Sequence, residues 1–180
     1  MDKITLHDKT FRLFIPNDRI EAAIDAVADK INQDFAGAQD IPVFLCVLNG
    51  AVMFTGEMMK RLCFPAQLVS IKMSSYVGTK STGTVLNMMG LTGSVQDKRV
   101  IIFEDVVDTG NTIVALKELL LSKGAREVKI CSMLFKPDVY KKEEKIDYVG
   151  MSIPNDFIVG FGLDYDELGR NLPDIYVLDK

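Results

Sequence analysis

Val100-Ile101-Ile102-Phe103-Glu104-Asp105-Val106-Val107-Asp108-Thr109-Gly110-Asn111-Thr112 is the stretch on which the reading of this chain turns. An apolar strand, expected from Arg99 to Phe103, runs straight into two carboxylates. Two more apolar residues follow, then Asp108, then four small polar residues that open a helix. That last part is a phosphate cradle in physical terms. Gly110 lets the backbone approach a ligand closely, amide N–H groups converge at a helix amino terminus, and the threonine hydroxyls add donors. Neither the Walker nor the GxGxxG glycine spacing is present. Glu104 and Asp105 would repel a phosphate, but they accept hydrogen bonds from vicinal ribose hydroxyls or share a cation. Neighbours on a strand point to opposite faces, so both serve one ligand only where the strand is ending. Strand, acid pair, phosphate loop and helix together spell a ribose 5-phosphate. The bland alternative is an acidic turn capping a helix.

Working outward, the flanks read as alternating strands and helices. Asn17-Asp18 offers a helix cap, and Ile20, Ile24, Val27, Ile31 and Phe35 follow at helical spacing until Gly37. Val43 to Leu48 is an apolar strand, Asn49-Gly50 a turn, and Ala51 to Leu62 a helix. Leu68 to Met73, Val128 to Phe135, Tyr148 to Ile153 and Phe157 to Phe161 read as further strands. A helix after Thr112 turns Ile113, Leu116, Leu119 and Leu120 inward and stops at Gly124. Ile4 to Ile15 reads as a strand or extended arm. Continuous β-branched runs alternating with helices require a parallel sheet covered on both faces, in a single α/β domain. In such sheets ligands bind beyond the carboxyl ends of the strands. Ser74 to Gln96 differs: its glycines, serines and threonines suit a mobile lid or binding loop.

Composition narrows the partners. The 180 residues carry 21 Lys+Arg against 25 Asp+Glu, a net charge of -4. No dense basic face suits a nucleic-acid track or a membrane surface, though small anionic ligands stay open. The Asp40–Glu57 stretch is uncharged but broken by Pro42, Asn49, Gly50 and Gly56, so it is not a membrane span. Met1 to Asp8 lacks an apolar signal core. Cys46, Cys63 and Cys131 lack paired spacing and read as buried free thiols of a reducing compartment. His7 stands alone, which closes Ser-His and His-metal chemistry.

The 100–112 stretch closely resembles the phosphoribosyl-pyrophosphate signature of the type I phosphoribosyltransferase family. Leu48-Asn49-Gly50 resembles the pyrophosphate loop of its purine salvage branch, and Ser74-Ser75-Tyr76 the mobile catalytic loop. Lys136, the run Ile153-Pro154-Asn155-Asp156-Phe157-Ile158-Val159-Gly160, Leu163-Asp164-Tyr165 and Arg170 match the carboxyl-terminal hood. The resemblance implies a mostly parallel sheet flanked by helices, with a small hood from the terminal segments. It implies transfer of a 5-phosphoribosyl group from phosphoribosyl pyrophosphate to a 6-oxopurine, with Mg²⁺, by a cytoplasmic homodimer or homotetramer. Residue by residue, Glu104 and Asp105 would hold ribose hydroxyls, directly or through Mg²⁺. Asp108 would take the purine proton or stabilise the ribosyl cation, and residues Asp108, Thr109, Gly110, Asn111 and Thr112 would bind the 5-phosphate. Lys136, Phe157, Ile158 and Asp164 would surround the purine, with Asp164 also holding a Mg²⁺ bound to pyrophosphate. Leu48, Asn49, Gly50 and Arg170 would hold pyrophosphate, and Ser75 and Tyr76 would close over the site. Asn49 departs from the pattern, since many relatives carry a basic residue there. Two rival readings are a sensor of the same ligand without catalysis and a xanthine-preferring transferase.

Overall fold

The computed structural model describes residues 2–76, 85–89 and 94–179, with the main chain alone described at 73–76 and 85–89. Strands β3 (Val43–Leu48), β4 (Gln67–Tyr76), β6 (Arg99–Val107), β7 (Glu127–Phe135) and β8 (Tyr148–Ser152) lie parallel, and β5 (Val85–Met89) adds an antiparallel edge to β4. Their order is β5-β4-β3-β6-β7-β8. The sheet is the doubly covered parallel sheet that the apolar runs predicted. Phe44, Ile101, Phe103, Cys131 and Met133 pack on one face with α1 (Asn17–Asp34) and α2 (Val52–Arg61). Leu45, Val47, Val100, Ile102 and Ile130 pack on the other with α3 (Asn111–Ser122). The alternation of faces along each strand produces this split directly. Phe103 is fully buried between Phe44 at 4.9 Å and Phe54 at 5.4 Å between ring centroids. Burying a side chain of that size stabilises the fold by about 1.5–3 kcal/mol, so the strand that carries the site is held firmly at its root.

The chain termini build a second, antiparallel sheet. The predicted amino-terminal arm is a hairpin of β1 (Lys3–Leu6) and β2 (Lys9–Ile15), turning at His7 with φ of 49°. β2 pairs with β10 (Ile175–Leu178), and β10 with the short β9 (Ile158–Val159). Ile15, Ile158, Ile175 and Val177 of this sheet pack into the same core as α1 and one face of the parallel sheet.

Several boundaries differ from the sequence reading. Asn17 does not cap α1: Pro16 occupies the cap position without a side-chain bond, and the Asn17 N–H donates to Asp174 Oδ1 at 2.8 Å. A tertiary acceptor replaces the local cap. Strand β9 is two residues long rather than Phe157 to Phe161, since Gly160, Phe161 and Gly162 all take positive φ and leave the ladder. Ser74, Ser75 and Tyr76 extend β4, where antiparallel pairing with Val85–Leu86–Asn87 continues the strand past Met73. The expected mobile loop is therefore in part a hairpin, and residues 77–84 and 90–93 lie outside the described residues, as do the side chains of Ser75 and Tyr76. Cys63 is exposed, unlike the buried Cys46 and Cys131, because it sits just past α2 rather than in the sheet. Among the described residues no helix is long and apolar enough to cross a membrane.

Candidate active site

The acid pair does not stand beyond the end of its strand. β6 runs through Glu104 and Asp105 to Val107, so the two side chains start on opposite faces. What brings them to one space is the loss of a neighbour. β3 pairs with β6 only as far as Cys46↔Phe103, and the β7 register steps from Glu104↔Ser132 to Val106↔Leu134, with Asp105 standing out of it. Past Phe103 the strand has a free edge. Both carboxyls are half-buried and close enough to share a hydrogen bond. Burial, reinforced by the charge of Asp105, pushes the Glu104 carboxyl well above the usual range. Burial raises Asp105 as well, offset by Glu104, by the Val106 N–H donating to its Oδ1 at 2.7 Å and by the charge of Arg170. Glu104 Oε2 is sealed from solvent and has no hydrogen-bond partner among the described residues.

Beyond Val107 the chain makes the cradle. Asp108 is exposed and its Oδ1 accepts the Thr109 N–H. Gly110 occupies the cap position of α3 with φ of 78°, a left-handed conformation open to glycine at little cost. No side chain caps this helix, so its first N–H groups stay available to a ligand. Thr109, Asn111 and Thr112 are exposed around it. A cavity of about 70 Å³ is lined by Glu104, Val106, Asp108, Gly110 and Thr112. Val106 was absent from the sequence candidates, since an apolar residue between acids carries no signal of its own.

The Leu48-Asn49-Gly50 loop is wedged against this pair. Its Leu48–Asn49 peptide is cis. A Cβ on Gly50 would lie 1.6 Å from Asp105 Oδ2, so any side chain there would push the carboxylate from its place. Gly162 of the hood seals the other side, where a Cβ would meet the Gly50 carbonyl oxygen at 2.0 Å. Gly162 also has φ of 98°. Gly162→Ala is therefore expected to cost about 2–4 kcal/mol from left-handed strain and overpacking, read as a lower denaturation midpoint with reduced activity. A midpoint equal to that of the parent protein would remove this contact from the site's architecture.

The hood side chains converge from above. Arg170 donates through Nη1 to the Gly162 carbonyl at 2.8 Å and pairs through Nη2 with Asp164 Oδ1 at 2.7 Å. Asp164 Oδ2 accepts the Glu167 N–H at 2.8 Å. The Lys136 N–H donates to the Val107 carbonyl at 2.9 Å, which sets Lys136 beside Asp108. Its Nζ donates to the Asp156 carbonyl at 2.8 Å. Phe157 is 46% exposed, an unusual setting for a large aromatic, and is edge-on to Tyr165 at 5.9 Å. Ile158 turns its side chain into the core, so only its main chain is left for a ligand. Sequence reasoning missed Tyr165 as a support for Phe157 and its anchors: the Tyr165 hydroxyl donates to Asp8 and accepts from Lys9, both at 2.7 Å. His7 is a surface residue, its Nε2 3.2 Å from the Asp166 carbonyl oxygen.

One strand thus carries the carboxyl pair straight into a helix start opened by a left-handed glycine, and Glu104, Asp108 and Gly110 share one cavity. Comparison with known proteins agrees. The phosphoribosyl transferase domain family matches residues 16–166. Hypoxanthine-guanine phosphoribosyltransferase of Mycobacterium tuberculosis (strain H37Rv) is 38% identical over 168 residues, 90% of this chain and 83% of that one. The enzyme of the same name from Lactococcus lactis is 38% identical over 93% of this chain and 90% of its own. A structure of Staphylococcus aureus hypoxanthine phosphoribosyltransferase superposes with a TM-score of 0.82 at 32% identity, covering 93% of this chain and 91% of that one. The chain belongs to the phosphoribosyltransferase family, in its hypoxanthine-guanine branch.

Proposed function

We propose that the chain is a purine salvage enzyme that transfers the 5-phosphoribosyl group of phosphoribosyl pyrophosphate to hypoxanthine or guanine, forming IMP or GMP and releasing pyrophosphate. The observation that carries this reading is the end of β6, where the acid pair leads straight into the uncapped, glycine-opened start of α3. In this reading residues 109–112 hold the 5-phosphate, and Glu104 and Asp105 serve the ribose hydroxyls. Lys136 recognises the purine's exocyclic oxygen, Phe157 stacks on the ring and the Ile158 main chain meets its edge. Arg170 and the Leu48-Asn49-Gly50 loop take the pyrophosphate, and Ser75 and Tyr76 close over the site. Asp108 accepts the purine proton as the ring nitrogen attacks the anomeric carbon, or stabilises the cationic ribosyl centre. Held in this geometry, the reactants meet without further loss of orientation freedom.

The donor set fits Mg²⁺. Both carboxyls are hard oxygen ligands, one Glu104 oxygen is sealed without a partner among the described residues, and burial disfavours the charged form of both. The described residues contain no group of three metal-binding side chains, and Asp164 is engaged by Arg170 instead. Two protein carboxylates completed by water and substrate oxygens are what Mg²⁺ commonly accepts. When bound, the metal would neutralise charge on the departing pyrophosphate. We further take the single domain to act in the cytoplasm as a homodimer or homotetramer.

The deciding experiment incubates the protein with phosphoribosyl pyrophosphate, Mg²⁺ and each purine in turn and measures nucleotide. IMP and GMP are expected; no product with any base would leave a non-catalytic sensor, and XMP in excess a xanthine enzyme. In the same assay Lys136→Ala is expected to raise the KM for hypoxanthine roughly 10- to 100-fold, the worth of one hydrogen bond from a charged donor. An unaltered purine profile would take Lys136 out of base recognition.

A further inference from the structure

Of the segment joining β7 to β8 only Lys136 has been used above, yet the residues after it pack on the phosphate cradle. A Cβ built on Gly110 would lie 2.3 Å from Tyr140 Cε2 and 3.1 Å from Lys142 Cγ. The Tyr140 ring edge thus fills the space behind the α-carbon on which the cradle turns. That ring is not free to move away. It stands edge-on to Phe135 with centroids 5.3 Å apart, and its hydroxyl donates to the Glu144 carbonyl. Glu144 in turn pairs with Lys117 on α3 at 2.8 Å. The Tyr140 N–H donates to the Lys136 carbonyl at 3.2 Å, so the same turn carries the lysine assigned to the purine. Burial, with Glu144 nearby, pushes the Tyr140 hydroxyl above its usual range, which keeps it a donor at all working pH.

We propose that Tyr140 is a positioning residue for the 5-phosphate: its ring backs Gly110 and so aims the amides that open α3. The inference rests on the proposed reading of residues 109–112. Gly110 is the most pliable point of the loop, since φ near 78° is only one of many angles open to glycine. A loop that binds a dianion through main-chain N–H groups needs those groups fixed before the ligand arrives, and a rigid aromatic wall supplies this at small entropic cost. The lysine beside it, Lys142, adds an aliphatic stem to the same wall.

The test compares Tyr140→Ala, Tyr140→Leu and Tyr140→Phe in steady-state kinetics, with thermal melting of each. Tyr140→Ala is expected to raise the KM for phosphoribosyl pyrophosphate about 5- to 20-fold, the order that a loop misplaced by a fraction of an ångström produces. The KM for hypoxanthine and kcat should stay within about twofold. Tyr140→Leu, which keeps apolar bulk against Phe135 but loses the ring edge, should show the same split with a melting temperature nearer to that of the parent. Tyr140→Phe should restore the parent KM, since the ring and not the hydroxyl meets Gly110. An unchanged KM in both Ala and Leu variants would overturn the assignment. So would a fall of all parameters together with melting temperature, the mark of a purely structural strap. Should the parent protein form no nucleotide with any purine, the wider reading fails. Calorimetric affinity for ribose 5-phosphate would then test Tyr140 alone, and equal affinity in parent and Ala variant would reject it.

Discussion

Asp108→Asn is expected to lower kcat by about 10²- to 10³-fold, within the range ascribed to one positioned acid–base group, while the affinity for IMP changes by less than about threefold. The asymmetry follows from what the carboxylate touches. Among the described residues its Oδ1 accepts only the adjacent Thr109 N–H, and it stands exposed at the mouth of the cavity, so the fold does not lean on it. Asparagine preserves size and can still accept that amide. It cannot take a proton from the purine, nor offset positive charge at the anomeric carbon. Interactions made only in the transition state appear in kcat, whereas shared ones appear in binding. Measuring single turnover and IMP binding side by side checks this. Unchanged turnover would remove Asp108 from the chemistry, and an equal loss in both would make it a binding group.

Glu104→Gln is expected to abolish most Mg²⁺-dependent transfer, by about 10²-fold or more, and to flatten the dependence of stability on pH. In the unfolded chain Glu104 loses its proton in the ordinary carboxylate range. In the fold, burial and Asp105 make it keep that proton to higher pH. Between the two values the native state binds more protons than the unfolded one, so stability falls as pH rises. Glutamine is a permanent likeness of the protonated form and keeps a donor for Asp105. The variant should therefore melt a few degrees higher than the parent at pH 8 and about equally at pH 4. Mg²⁺ should raise the parent's melting temperature more at pH 8 than at pH 5.5, because binding must displace the retained proton. Parallel melting profiles for parent and variant across this range would show that Glu104 is not the group that titrates.

Much of this architecture was readable before any coordinate. Val43 to Leu48 declared itself as an unbroken apolar run, Val128 to Phe135 as a mainly apolar one, and the cradle as glycine among small donors at a helix start. What went unread was set by partners distant in sequence. Asn17 does not cap α1 because the helix already includes it, and its own N–H is taken by Asp174, 157 residues away. Ser74–Tyr76 looked like loop because nothing local announces that β5 will pair with it. The acid pair was expected past the end of its strand, whereas β6 continues and β3 departs.

By itself, then, the sequence determined the kind of molecule: a doubly covered parallel sheet with a carboxylate pair and a phosphate loop in tandem on one strand. Those features arise from periodicity and from residue chemistry, which act over a few neighbours and can be read in order. Only the tertiary structure decided how the pieces close into one site. Gly50 abuts Asp105, Gly162 abuts Gly50, Arg170 bridges Gly162 and Asp164, and Tyr140 stands behind Gly110. The arginine bridge is polar and local to its own segment, but the three glycine contacts are steric fits between segments far apart in the chain. The residue that makes room, a glycine, has no side chain to show why it is there.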